Sequence, residues 1–288
     1  MPISPEELVE GVTDLVSLPE VCFEVNAMTE STEYSASDIA DVVSRDPALT
    51  AQVLRIANSA YYGFPAKVET VSRAVTVIGN RELRDLVLAT SFVDSFAGMR
   101  HHIEGFQEFW RHSFQVGIVA RSLVSRSRHR VLHSERLFVA GLLHDIGRLV
   151  MMIKIPELVK VMRHRAAEAG IPMAQAEREV FDMDHAQVGA ALLKAWDLPE
   201  SLQAVAAHHH HPQAAGDFRL EAGLVHLADS LARKARWAGA DADNIAPVEV
   251  DAWAIAGLEE QGPDIIPRQA EQRYRAAWAA FAPQTGWA

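Results

Sequence analysis

Apolar residues recur along this chain at helical spacing almost throughout. Asp46 and Pro47 read as an N-cap followed by a first-turn proline, and Leu49, Val53, Leu54 and Ala57 then mark one helical face. Ser37 reads as the N-cap of a short helix before it. Val71, Val75 and Ile78 suggest a further helix closed by Gly79, and another runs from about Glu82 to Phe96. Gly98 and Gly105 bracket a polar break. Beyond it, Phe109, Val116, Val119 and Leu123 share a stripe, as do Phe138, Leu142, Ile146, Leu149 and Ile153 on what reads as one helix. Further helices fall near Glu157–Ala169, over a segment striped by Val188, Leu192 and Trp196, from about Pro199 to a stop at Pro212, and along Leu220, Leu224, Leu227 and Leu231. Short helices near Asp251 and Gln269 follow. Alternating strand patterns are scarce. The expected class is all-α in two helical lobes, divided as residues 1–100, residues 101–237 and a helical extension over 238–288.

Composition narrows this picture. With 288 residues and 49% hydrophobic content the chain can bury a sizeable core. Its formal charge of −11 disfavours a broad nucleic-acid or acidic-membrane face. No apolar run reaches the roughly 18 residues of a membrane span. Cys22 is the single cysteine, so no intramolecular disulfide forms and a cytoplasmic location is expected. It sits on an apolar helical stretch and reads as core. Arg121, Arg126, Arg128, Arg130 and Arg136 form a basic run that reads as a solvated helix end and loop, or as a receiver of a phosphate.

The chemistry concentrates on polar residues set into apolar helices. His144 and Asp145 stand side by side in "FVAGLLHDIGRLVMM", where burial is costly unless both find partners. About 100° apart on a helix, they converge either on hydrogen-bonding neighbours or on an ion. His112 lies mid-helix, with Glu108 one turn earlier. His185 opens a helix, His208 and His209 end the next, and Asp229 interrupts a leucine repeat. Each has a plain alternative: a satisfied core histidine, helix-end chemistry, or an Asp229–Arg233 surface pair. Together, five histidines and two aspartates make the donor set of a two-metal site. The absence of thiolates points to iron, manganese, zinc or magnesium chemistry rather than a structural zinc finger.

The order His112, His144–Asp145, Asp229 resembles the H…HD…D signature of the HD phosphohydrolase superfamily. The additional His185, His208 and His209 resemble those of its HD-GYP branch of cyclic dinucleotide phosphodiesterases. "LPEVCFEVNAMTE", "DPALTAQVLRIANSAYYGFP" and "VSRAVTVIGNRELRDLVL", with "HAQVGAALLKAWDLPESLQAVAAHHHHP" further on, resemble the HDOD family, the HD-related output domain of bacterial signalling proteins. That likeness runs from about Leu18 to Lys234. HDOD proteins are output or adaptor modules. The HD and HD-GYP likeness implies an HD-type helical bundle in the second lobe holding one or two divalent metal ions on His112, His144, Asp145, His185, His208, His209 and Asp229, with Asp145 bridging. It implies catalytic roles for Asp145, Arg148 and Glu108, the arginine standing where HD-GYP enzymes carry a lysine and suited to clamp a phosphate. It implies a signalling protein or a nucleotide ligand as partner. The Gly-Tyr-Pro triplet of HD-GYP enzymes is missing from "HHHHPQAAGDF". The expected function is a signalling output protein with a complete HD-type metal site, or else a metal-dependent phosphohydrolase acting on a nucleotide or cyclic dinucleotide.

Overall fold

The computed structural model describes residues 3–16, 18–31, 33–59, 62–129, 134–235, 247–260, 265–266 and 268–281. These residues form helices joined by turns and loops, with no strand among them, so the chain is all-α. No helix among them is long and apolar enough to cross a membrane. The chain divides into two compact units. One comprises Ser17–Gly98 with Arg268–Ala288; the other comprises Met1–Val16 with Met99–Pro267.

Helices α1 (Pro5–Val9) and α2 (Val12–Leu15) open the chain and belong to the larger unit. The smaller unit is built from α3 (Glu20–Glu30), α4 (Ala36–Ser44), α5 (Pro47–Ala57), α6 (Val71–Ile78), α7 (Asn80–Phe96) and α17 (Arg268–Phe281). Helix α3 packs on α7 and α4, and α17 lies along α5. Asp46 caps α5 by accepting from the N–H groups of Ala48 and Leu49, with Pro47 at the first position. The N-cap of α4 is Ser35, not Ser37. Ser35 accepts from Asp38 N–H, and the Asp38 carboxylate accepts from Ser35 N–H. That reciprocal pair needs an acidic or amide residue three positions on, and Ser37 falls inside the first turn. Cys22 is buried, and burial raises its thiol pKa to about 11.

The larger unit contains α8 (Phe106–Val124), α9 (Ser134–Leu143), α10 (Ile146–Lys154), α11 (Pro156–Ala169), α12 (Met173–Phe181), α13 (His185–Ala195), α14 (Glu200–His208), α15 (Arg219–Ala235) and α16 (Ala252–Ile255). Of the basic run, Arg130 lies outside the described residues. Helix α8 packs against α9 and α15, α10 against α13, and α13 against α14. The α8–α9 crossing is close because it is made at two glycines: a Cβ on Gly141 would meet Gly117 Cα at 2.7 Å.

The stretch from Phe138 to Ile153 is not one helix. Helix α9 ends at Leu143 and α10 begins at Ile146, with His144 and Asp145 in the turn between them. Both helices bury their apolar faces, so the apolar period runs through the joint and hides it. From this turn both polar side chains reach the interior, where His144 and Asp145 are each buried.

Candidate metal centre

Three helix ends and two mid-helix positions deliver the polar side chains. His112 projects from the middle of α8 and Asp229 from α15. His144 and Asp145 come from the α9–α10 turn. His185 opens α13, whose N-cap Asp184 accepts from Gln187 N–H. His209 and His210 follow the last residue of α14. Gly147 makes the α10–α13 joint possible. A side chain there would collide with the His185 carbonyl and with Gly189 N at 2.5 Å.

Asp145 sits at the centre, 1% exposed. Its Oδ1 lies 2.9 Å from His185 Nε2 and 3.5 Å from His209 Nε2. Its Oδ2 lies 3.5 Å from His144 Nε2. Asp229 Oδ1 lies 2.8 Å from His112 Nε2 and 3.9 Å from His144 Nε2. Three overlapping groups of potential ligand atoms result: His112, His144 and Asp229; His144, Asp145 and His209; and His185, His209 and His210. Within each group the donor atoms lie within 4.8 Å of one another.

The ring orientations are set from behind. His144 Nδ1 donates to the Gly141 carbonyl at 2.8 Å, and His209 Nδ1 donates to the Ala206 carbonyl at 2.9 Å. Each bond leaves a bare Nε2 turned into the cluster. His226 Nδ1 in turn donates to the His209 carbonyl at 2.7 Å. The Glu177 carboxylate, from α12, accepts a hydrogen bond from His185 Nδ1–H at 2.5 Å and another from His185 N–H at 2.9 Å. A carboxylate behind a histidine ring is the common support for a metal-ligating imidazole.

The donors fit a metal. His144 Nε2, His209 Nε2 and both oxygens of Asp145 are buried and make no aligned hydrogen bond among the described residues, although Asp145 faces His185 and Arg148 as ion-pair partners. Buried polar atoms are rarely left so. They approach one another closely yet are not aligned as donor and acceptor, which is how ligands of a shared ion stand. The set is all nitrogen and oxygen, suited to a borderline or hard divalent ion.

Charges in the cluster are strongly coupled. Burial alone would raise the Asp145 pKa, but Arg148, His144 and His185 hold it well below the usual carboxylate range. Asp229 behaves alike, against Arg233 and His112. Burial pulls His144 down to about 3, so its ring is neutral and ready to ligate. Burial also pulls His185 down, but the Glu177 carboxylate, opposed by Arg148 and aided by Asp145, brings it up to about 9. Arg148 Nε stands 3.2 Å from Asp145 Oδ2; Arg233 Nε stands 2.9 Å from Asp229 Oδ1, with its Nη2 3.7 Å from Asp145 Oδ2. Two guanidinium groups thus face two carboxylates.

The structure gathers His112, His144, Asp145, His185, His209 and Asp229 at one place, with Arg148 beside them. His208 belongs to none of the ligand groups, and His210 takes part instead, its Nε2 2.9 Å from His185 Nε2. His208 is the last residue of α14, so its side chain points about one helical step away from His209. Glu108 lies exposed on the first turn of α8, outside all three groups. The Asp229–Arg233 pair exists, but Asp229 also faces His112, and its side chain is 14% exposed rather than solvated. Glu177 and His210 were not singled out by sequence. His210 was hidden inside a four-histidine run, and Glu177 lies in "AQAEREV", where nothing separates it from a surface glutamate.

The all-α bundle and its histidine–aspartate cluster define the class, and comparison places the chain within it. The HDOD domain family model matches residues 15–212, and the chain belongs to that family. A structure of a candidate phosphohydrolase from Shewanella amazonensis SB2B is 25% identical, with a TM-score of 0.73 over 96% of this chain and 98% of that one. A candidate signal transduction protein from Marinobacter aquaeolei VT8 has the same fold at 22% identity and a TM-score of 0.72, covering 97% of this chain and 61% of that one. An uncharacterized protein of Treponema pallidum (strain Nichols) is 26% identical over 227 residues, 78% of this chain. The chain spans 44% of that relative's length.

Proposed function

We propose that this chain is a cytoplasmic signalling output protein of the HDOD type that carries one or two divalent metal ions in its larger unit. The observation that carries the metal reading is the set of buried potential ligand atoms at His144 Nε2, Asp145 and His209 Nε2, which lie close together with no aligned hydrogen bond among the described residues. His112, His144, Asp145 and Asp229 would hold one ion. His185, His209 and His210, with Asp145 shared, would hold the other. Glu177 fixes the His185 ring so that its Nε2 faces the ion. The membership in the HDOD family supports the signalling role, with a protein partner or a small phosphorylated ligand as the input.

A second reading, metal-dependent phosphoester hydrolysis, is favoured by the cavity beside the cluster. About 260 Å³ in volume, it is lined by His210 and Asp229 on one side and by Arg148 and Arg233 next to them. Bound metal would act there as a Lewis acid toward phosphoryl oxygens. Arg148 and Arg233 would neutralise the phosphate's negative charge. Glu108 lies exposed on the first turn of α8, one turn before His112, and outside the three ligand groups.

Elemental analysis of protein purified without added metal, then reconstituted with manganese, iron or zinc, tests the metal reading. One to two equivalents bound, lost with Asp145→Ala, is the expected result; no bound metal under any reconstitution overturns it. Hydrolysis of a simple phosphoester that requires metal and disappears in Asp145→Ala would establish the second reading.

A further inference from the structure

The cavity next to the cluster is lined by two unlike sets of residues. Asp229, His210, Arg148, Arg233 and Glu177 belong to the cluster or are paired with it. Met151, Met152, Val159 and Met173 add apolar and thioether surface, and the exposed Arg163 also lines the cavity. The cluster's arginines read an anion. Once a cation balances Asp145 and Asp229, their guanidinium groups are released from compensating those carboxylates and are available to a phosphate.

The apolar lining calls for a different chemistry. Three thioethers in one cavity make an adaptable, polarisable surface, and sulfur contacts with ring edges are favourable. An arginine beside them adds a planar cation that stacks on a ring face. A cavity of about 260 Å³ lies just below the roughly 300–1,000 Å³ of sites for drug-sized ligands. It has room for one ring system and its phosphate. We propose that this cavity binds a small phosphate monoester bearing a single planar ring, with the phosphate toward Arg148 and Arg233 and the ring against Met151, Met152 and Met173 under Arg163. The inference deepens the phosphoester reading and rests on it for the orientation of the phosphate.

Calorimetric titration of the metal-reconstituted full chain with methylphosphonate, phenylphosphonate and cyclic di-GMP tests it. The two phosphonates carry the same charge, differ by the ring, and resist hydrolysis. Phenylphosphonate is expected to bind about tenfold tighter or more, since the ring buries several carbons. The double variant Met152→Ala/Met173→Ala should bring the two affinities close together. Arg163→Ala, a change at an exposed position that leaves folding intact, should weaken phenylphosphonate several-fold and methylphosphonate less. Equal affinities for the two phosphonates, no binding of either, an Arg163→Ala variant with unchanged selectivity, or cyclic di-GMP binding tighter than phenylphosphonate would each overturn the proposal. Metal content measured on the same samples separates the two readings. Full metal without ring selectivity sinks this inference and leaves the metal reading standing, whereas a protein that takes up no metal sinks the metal reading and with it the release of Arg148 and Arg233 that this inference uses.

Discussion

Asp145 Oδ1 and His185 Nε2 lie 2.9 Å apart across the joint where α10 meets α13, and both side chains are buried. The contact depends on Gly147, one of the few positions where the two backbones come close enough to exclude a Cβ. The separation of two potential ligands on different helices is therefore set by a residue that ligates nothing.

Gly147→Ala should push α10 and α13 apart. The added methyl group meets backbone atoms, which cannot move aside as a side chain would. Overpacking of this kind costs roughly 1–3 kcal/mol. Urea melts should show a loss in that range, and metal affinity should fall with it. A variant as stable as the parent, with unchanged metal content, would contradict the role given to this joint.

His208→Ala should leave metal content unchanged, whereas His209→Ala and His210→Ala should each lower it. The distinction follows from the three ligand groups, which include His209 and His210 but not His208. Elemental analysis of the three variants side by side checks it. Equal loss in His208→Ala would mean that α14 ends differently when metal is bound.

Asp145→Ala should destabilise the larger unit as well as abolish metal binding. It leaves Arg148 facing a site that has lost its carboxylate, and removing one partner of a buried pair costs on the order of 3 kcal/mol. In the parent, metal at a hundredfold excess over its dissociation constant adds about 2.7 kcal/mol. Chelator should therefore lower the parent's melting temperature and leave that of Asp145→Ala unmoved.

Metal uptake should release a proton and tighten as pH rises. His185 is raised to about 9 in the metal-free protein, so its cation contributes stability fully below its ordinary pKa of 6.5 and loses it as pH climbs from there through 9. Metal binding requires the neutral ring and displaces that proton. Between pH 6.5 and 9, metal affinity should rise by up to about tenfold per pH unit. Glu177→Gln removes the carboxylate that holds the proton, so it should reduce proton release at pH 7. It should also weaken metal binding by roughly 10–100-fold, as the loss of a supporting group does. Calorimetry in buffers of differing ionisation enthalpy reads both effects.

The periodicity of apolar residues was enough to establish the helical class. Spacing also located most helices, the Asp46–Pro47 start, the Gly79 stop, and the residues His112, His144, Asp145, His185, His209 and Asp229. These signals are local: a cap or an apolar stripe depends on residues within a turn or two of one another. Glu177 of α12 is not legible in the sequence, because a buried glutamate looks like a surface one until its partner, His185, is known.

What the sequence determined by itself is therefore the set of helices and the inventory of nitrogen and oxygen donors, since both follow from residue type and short-range spacing. Tertiary structure alone decided which donors meet. The turn at His144–Asp145 is masked by an apolar period that both flanking helices share. The choice of His210 over His208 depends on how α14 ends against its neighbours. The support of His185 by Glu177 joins two helices whose contact is fixed by packing, and no spacing along the chain encodes a distance across a core.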